Sequence, residues 1–166
     1  MSNIVVHGFL QAPPPVAGGA ASDLREAVIA WLGVLAPLEG LVGNRVYYEE
    51  PSQLSSYPCV AVEVTEREFG KNLAGADGSS RALVEIRSLA QLKSQSVAIS
   101  KVVYDYFFGF RGVQDGVPVL SNYYEDEADQ VSQPIDGSDM WIYHTVLSYR
   151  VKHRVPVPAN ITQTNC

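Results

Sequence analysis

The stretch that decides the fold is MWIYHTVLSYRVKHRV, residues Met140–Val155, which has the longest strand pattern in the chain. Successive side chains of a β-strand point to opposite faces, so alternate residues share a side. One side carries Trp141, Tyr143, Leu147, Tyr149 and Val151. The other side begins apolar and ends basic, with Arg150, Lys152 and Arg154. We therefore expect a long strand with one buried face, which leaves the core at its far end.

An acidic stretch precedes this strand. The turn signal Asp115–Gly116 predicts a strand over Val117–Tyr124, and the acidic residues run out of that strand. The chain has 12 basic and 18 acidic residues, giving a net charge of −6. The segment from Tyr123 to Asp139 has no Lys or Arg and carries as much negative charge as the whole chain. Its first four acidic residues, which we treat as one candidate patch, are Glu125, Asp126, Glu127 and Asp129.

Three interpretations of the candidate patch are open. It is a solvated strand end and turn, an electrostatic surface at an interface or pore wall, or a site for a hard cation. Oxygen donors at Glu125, Glu127 and Asp129 have the alternating spacing that a cation site can use. The stretch lacks the glycine and the terminal glutamate of a calcium loop, which favours the first two interpretations.

A second pair of strands lies earlier in the chain. Val60, Val62 and Val64 alternate with polar residues, and the same period of two recurs over Arg81–Leu89. The segment between them, Phe69–Ser79, contains three glycines. We predict a hairpin with a long connection, of the kind that is often functional or ordered by a partner.

Two helices are expected. Asp23 is a typical N-cap, and the first helix ends at Pro37. The apolar stripe of this first helix is Leu24, Val28, Trp31 and Leu35. The second helix spans Leu92–Phe108 and ends at Gly109. Together with a short strand at residues 45–48, the order of elements predicts an α+β fold, in which two amphipathic helices cover one face of a small antiparallel or mixed sheet.

Both ends of the chain differ from the middle. Residues 1–22 and 155–166 contain no Asp, Glu, Lys or Arg. We expect an extended N-terminal arm over 1–22, a single domain over 23–155 and a C-terminal tail over 156–166. The arm contains the apolar residues Ile4, Val5 and Phe9. We therefore expect it to add a short strand or to dock on a neighbouring molecule.

Several functional classes are disfavoured. The net charge of −6 argues against a strongly basic nucleic-acid binder. The sequence has no membrane-length apolar run, no basic region of a secretory signal, and no Walker, Gly-x-Ser-x-Gly or His-Glu-x-x-His motif. Cys59 and Cys166 do not make a disulfide framework. We expect a soluble protein assembled in a cytosol, without catalytic residues, metal or cofactor.

Residues 23–155 resemble the tail-terminator and tail-completion family of long-tailed bacteriophages, the group that includes the lambda tail terminator. The resemblance rests on the order of elements together with several local stretches. The stretches are Leu41–Tyr47 after the first helix, Tyr57–Val60 at a strand entry, Phe108–Gly112 after the second helix and Tyr149–Val151 in the last strand. Family members begin near the first helix, so residues 1–22 and 156–166 depart from the pattern.

The resemblance implies a virion protein of the tail or neck without enzymatic activity. Such a protein forms a hexameric ring that caps the tail tube, stops its polymerisation and offers a surface to the head connector. DNA passes through the bore without sequence-specific binding. A ring repeats one heterologous interface, for which we expect contributions from Phe69, Lys71, Asn72, Leu73, Ile4, Val5 and Phe9. An acidic bore repels phosphates, so we expect the candidate patch to face the bore.

Alternatives from other classes are retained. One is a different neck or head-tail completion protein of similar fold. Another is an interaction module without a phage role. A third is a small-ligand-binding or enzymatic α+β domain, which would need a deep pocket with convergent polar groups.

Overall fold

Three helices and six strands make up the residues described by the computed structural model, which are 23–49, 56–72, 75–133 and 140–155. The elements are α1 Leu24–Gly33, α2 Ala36–Val42, β1 Val46–Tyr48, β2 Cys59–Asn72, β3 Gly75–Ala90, α3 Lys93–Phe107, β4 Gly112–Gln114, β5 Val117–Ser132 and β6 Ile142–Arg154. The sheet has the order β1-β2-β3-β6-β5-β4 and is antiparallel except for the parallel pair β1–β2. The α+β class is confirmed, and the sheet is larger than the small one expected.

The prediction for the first helix is right at its start and wrong at its end. The backbone N–H of Arg25 donates to Asp23 Oδ1 at 2.6 Å, so Asp23 is the N-cap. The helix stops at Gly33, and Pro37 lies in the first turn of a further helix, α2. Proline is tolerated there because the first N–H groups of a helix have no partner within it. The described residues therefore contain three helices where two were expected.

The hairpin connection predicted over Phe69–Ser79 is also wrong. Strand β2 continues to Asn72 and β3 begins at Gly75, and these two residues pair. Register shifts between Thr65 and Glu68 and between Phe69 and Lys71 let the pairing continue through the glycine-containing segment. The two strands thus form a long antiparallel arm of the sheet instead of two short strands and a loop.

The acidic stretch lies within a strand. Strand β5 runs to Ser132, so the expected strand end near Tyr124 is wrong. A bulge between Tyr124 and Asp126 bends the strand without ending it. The turn at Asp115–Gly116 is confirmed: both residues have positive φ, 46° and 82°, and they join the short strand β4 to β5 in a hairpin.

The core lies between one face of the sheet and the helices. Its sheet side consists of Val60, Val62, Val64, Ala82, Val84, Ile86, Leu147, Tyr149 and Val151. Its helix side includes Leu24, Val28, Trp31, Leu35, Ile99, Val103 and Phe107. This burial confirms the first apolar stripe. Leu92, the expected first residue of the second helix, precedes α3 and is 58 % exposed.

Strand β6 does not leave the core at its far end. It pairs with β3 as far as Arg154, and His153 near that end is buried. Tyr149 has no exposed surface. The opposite face of the sheet, which we call the open face, carries a small buried cluster of Cys59, Ala61, Leu89 and Ile142. Within the described ranges, none of the helices has the length and apolar character needed to cross a bilayer.

Candidate functional site

The candidate acidic patch is divided between the two faces of β5. Asp126 pairs in register with Ser148 of β6 and lies on the open face. Glu127 and Asp129 pair with Leu147 and Thr145, whose side chains lie on the helix-covered face. The four carboxylates therefore do not form the single surface that the sequence suggested, because alternation along a strand separates neighbours.

Two of the four carboxylates are held by cations. Glu125, at the bulge, accepts from Arg150 Nε at 2.9 Å. Asp129 lies 2.8 Å from Lys93 Nζ and accepts from the Thr145 hydroxyl at 3.1 Å. The hydrogen bond from Lys93 holds the pKa of Asp129 below its ordinary value and raises the pKa of Lys93. The local negative charge is thus smaller than the sequence count implies.

The cation-site interpretation of the candidate patch depends on where its ligand-type side chains lie. In residues 23–49, 56–72, 75–133 and 140–155 there is no group of three or more His, Cys, Asp or Glu side chains placed to hold a metal ion. Asp126 accepts from the N–H of its own neighbour Glu127 at 2.9 Å, and Glu127 lies 3.5 Å from the Tyr124 hydroxyl.

The predicted interface residues that the structure describes lie on β2. Phe69 is 61 % exposed, on a part of the strand that β1 does not reach. The backbones of Lys71 and Asn72 pair with β3 at Ala76 and Gly75. Leu73 and the arm residues Ile4, Val5 and Phe9 lie outside the described residues.

The sheet has two long free edges in the described part of the chain. Strand β1 covers only Val60–Val62 of β2, which leaves residues 63–72 without an outer neighbour. Strand β4 covers only residues 117–119 of β5, which leaves residues 120–132 open. Unpaired backbone groups along such edges are templates for another strand, and charged side chains discourage unwanted pairing. The acidic residues of β5 lie along the second edge.

A basic groove lies on the open face, formed by residues that are distant in sequence. The groove has a volume of about 760 Å³. It is lined by Glu68, Arg81, Arg111, Leu120, Ser121, Tyr123, Arg150 and Lys152. Four of its residues form one cross-strand row, Glu68–Arg81–Lys152–Ser121, from β2 across β3 and β6 to β5. The basic end of β6 was visible in the sequence, but the row depends on the register of four strands.

A small apolar cavity, a buried cysteine and two histidines are further features of the described residues. The cavity beneath α1 is apolar and has a volume of only about 10 Å³. Cys59 is fully buried, and burial raises the pKa of its thiol to about 11, so the reactive thiolate is scarce at neutral pH. His144 and His153 are nine residues apart and lie on opposite faces of β6, and His144 Nε2 is 2.7 Å from the Ser132 hydroxyl.

Comparison with known proteins supports the fold. No family model matches the chain, and no curated protein matches it. Among solved structures, the chain is similar to a chain of the "Virion of native gene transfer agent (GTA) particle", with 19 % sequence identity and a TM-score of 0.59. The match covers 82 % of this chain and 96 % of that chain. The two chains therefore share a fold over nearly the whole length of the virion chain.

Proposed function

We propose that this protein is a structural component of a phage-like virion. In this proposal it forms a hexameric ring in the tail or neck, caps the tail tube, ends its polymerisation and offers the joining surface to the head connector, while DNA passes through the bore. The observation that carries the proposal is the fold shared with a chain of a gene transfer agent virion, over 96 % of that chain. The family resemblance of residues 23–155 supplies the finer role.

The two free edges of the sheet support a ring. A closed ring is built from a heterologous interface, in which two different surfaces of one chain meet. Residues 63–72 of β2 and residues 120–132 of β5 are two such surfaces at opposite ends of the strand order. Pairing of one copy's β5 edge with the next copy's β2 edge would repeat around an axis and hide both edges.

Phe69 is the described residue best placed for this contact. Its large apolar side chain is 61 % exposed and lies on a free edge of the described sheet. Burial of this side chain against a neighbouring copy would lower the free energy of the assembly. The contributions of Lys71, Asn72, Leu73 and the arm residues Ile4, Val5 and Phe9 remain part of the proposal.

Only part of the acidic stretch is proposed to face the bore. Residues on opposite faces of one strand do not line the same bore. We retain this role for Asp126 alone, because Asp126 does not line the basic groove, whereas Glu125 is held by the groove residue Arg150. Glu127 and Asp129 lie on the helix-covered face and are left out.

Light scattering over a concentration series tests the ring. We expect a species of six times the 18.1 kDa chain mass, either alone or on purified tail tubes. Replacing Phe69 with Ser should weaken assembly, whereas the matched exposed change Leu92→Ser should leave it intact, because Leu92 lies outside both free edges. A chain that stays monomeric at high concentration and also fails to bind tubes would overturn the proposal.

A further inference from the structure

Two cations face each other in the basic groove. Arg81 of β3 and Lys152 of β6 are in direct register on the open face. Like charges directly opposite each other on neighbouring strands destabilise a sheet. Within the described residues neither Arg81 nor Lys152 has a carboxylate within 4.0 Å, and the same holds for Arg111 at the groove wall. Glu68 of β2 lies opposite Arg81 on its other side, so the row carries two cations and one carboxylate and keeps a net positive charge.

Other arginines on the same face are balanced. Arg87 Nη2 lies 2.6 Å from Glu63 and 3.3 Å from Glu85. Arg150 is paired with Glu125 at 2.9 Å. Among the described lining residues, the cations without a carboxylate partner within 4.0 Å are thus Arg81, Lys152 and Arg111, and their excess charge is a local property of the groove. Like charges that face each other lower stability, and such unfavourable arrangements are expected where a surface binds a ligand.

The groove suits an extended anion better than a single ion. Its row of side chains spans four strands, a width of about 14 Å at the usual strand spacing. Its lining has four positive groups and one negative group, Glu68. Arginine forks bind phosphate oxygens through two parallel hydrogen bonds. An anion with regularly repeated charges can therefore meet several of these cations at once.

The other polar lining residues are also typical of phosphate contacts. Arg, Lys, Ser and Tyr side chains are among the groups that donate hydrogen bonds to DNA phosphates and sugars. Ser121 and Tyr123 add hydroxyls beside the basic row, and Tyr123 is 59 % exposed. Among the described lining residues there is no Asn or Gln, the amide side chains that read adenine edges. These donors can hold a backbone through its phosphates, and reading the sequence would in addition require an arginine or lysine to reach guanine edges.

We propose that this groove binds the phosphate backbone of duplex DNA without sequence preference. The interaction is weak and depends strongly on salt, because the whole chain is negatively charged and the attraction comes from a few local cations. The net charge of −6 argues against a strongly basic nucleic-acid binder, but the local positive charge of the groove allows weak binding of DNA. The inference does not depend on ring formation, because all the lining residues belong to one chain.

Fluorescence anisotropy with a labelled duplex of about 20 base pairs tests the proposal at about 50 and 200 mM salt. The test variant is Arg81→Gln with Lys152→Gln. The control variant, Lys93→Gln with Lys101→Gln, removes the same charge from two exposed lysines of α3. We expect the test variant to lose affinity about tenfold and to flatten the salt dependence by one to two ions. The control should stay within about twofold of the native chain.

Four outcomes would overturn the proposal. One is an equal loss of DNA affinity in the test and control variants, which would show that the effect comes from the net charge of the chain. Another is the absence of duplex binding by the native chain at the lower salt concentration. The third is binding of polyglutamate but not of DNA, which would assign the groove to an acidic protein segment. Equal affinity for two duplexes of different base composition supports the proposal, while a strong preference for one contradicts it. Circular dichroism checks that each variant is folded.

Discussion

The side-chain oxygens of Ser96 on α3 and Thr145 on β6 lie 2.9 Å apart in the protein interior. Ser96 is fully buried and also lies 2.8 Å from the carbonyl oxygen of Ser88. The Thr145 hydroxyl donates in turn to Asp129 on β5, which is paired with Lys93 at the start of α3. One chain of polar contacts therefore ties the first turns of α3 to three strands, and it runs from the core to the surface.

Removing the buried hydroxyl of Ser96 should destabilise the protein. Ser96→Ala deletes a donor and leaves buried acceptors with fewer partners, so we expect the free energy of unfolding to fall by about 1–2 kcal/mol. Urea denaturation measures the change. Ser94→Ala is the matched control, because Ser94 lies in the same helix and is exposed. Equal stability of the native chain and the Ser96 variant would show that the contact contributes nothing.

The ion pair between Asp129 and Lys93 should appear in the pH dependence of stability. Because Lys93 lowers the pKa of Asp129, the folded state binds this proton less readily than the unfolded state. The resulting stabilisation is fully present above the ordinary pKa of 3.8 and is lost as the pH falls through the lower, folded value. The stability difference between the native chain and Asp129→Asn should therefore shrink in acid. A difference that is constant down to pH 2 would contradict this account.

Tyr149 should tolerate the loss of its hydroxyl. Its ring is fully buried against Phe107, with centroids 4.7 Å apart. Within the described residues its hydroxyl has no hydrogen-bond partner. A buried polar group without a partner is costly, so Tyr149→Phe should raise the free energy of unfolding by about 1 kcal/mol. Tyr149→Leu, which also removes ring contacts, should lower it by about 2 kcal/mol. A Phe variant less stable than the native chain would show that the hydroxyl is satisfied.

Reversing one charge of the groove should stabilise the fold. Lys152→Glu replaces the like-charged pair with Arg81 by an opposite-charged pair, worth about 0.2–1 kcal/mol. The gain should fade in about 1 M salt, where screening acts over about 3 Å. Lys101→Glu, which breaks an exposed helix pair with Asp105, should instead lower stability slightly. A Lys152 variant that is less stable at low salt would show that the two cations do not repel each other.

Elements with local signals were predictable from the sequence. The N-cap Asp23 and the apolar spacing of α1 and α3 are properties of a few neighbouring residues. The length of β6 follows from its alternation. The prediction for Pro37 was wrong because a proline can either end one helix or lie in the first turn of the next. The sequence alone does not separate these two cases.

The elements that were missed depend on pairing between distant residues. Glycines in Phe69–Ser79 and acidic residues after Tyr124 favour turns locally, yet pairing with β3 and β6 holds both segments in strands. The bulge at Glu125 and the register of four strands then decide which charges share a face. Sequence patterns therefore could not predict that the acidic stretch is divided between two faces of the sheet. They also could not predict that a basic groove forms on the open face.

The central claim, that this chain caps a tail tube as a ring, is tested most directly by electron microscopy of purified tubes mixed with the labelled protein. We predict label at one end of each tube, a ring of six copies in end-on averages, and no further growth of tubes by added tube protein. Label along the tube walls or absent from the ends, with continued growth in the presence of excess folded protein, would contradict the claim.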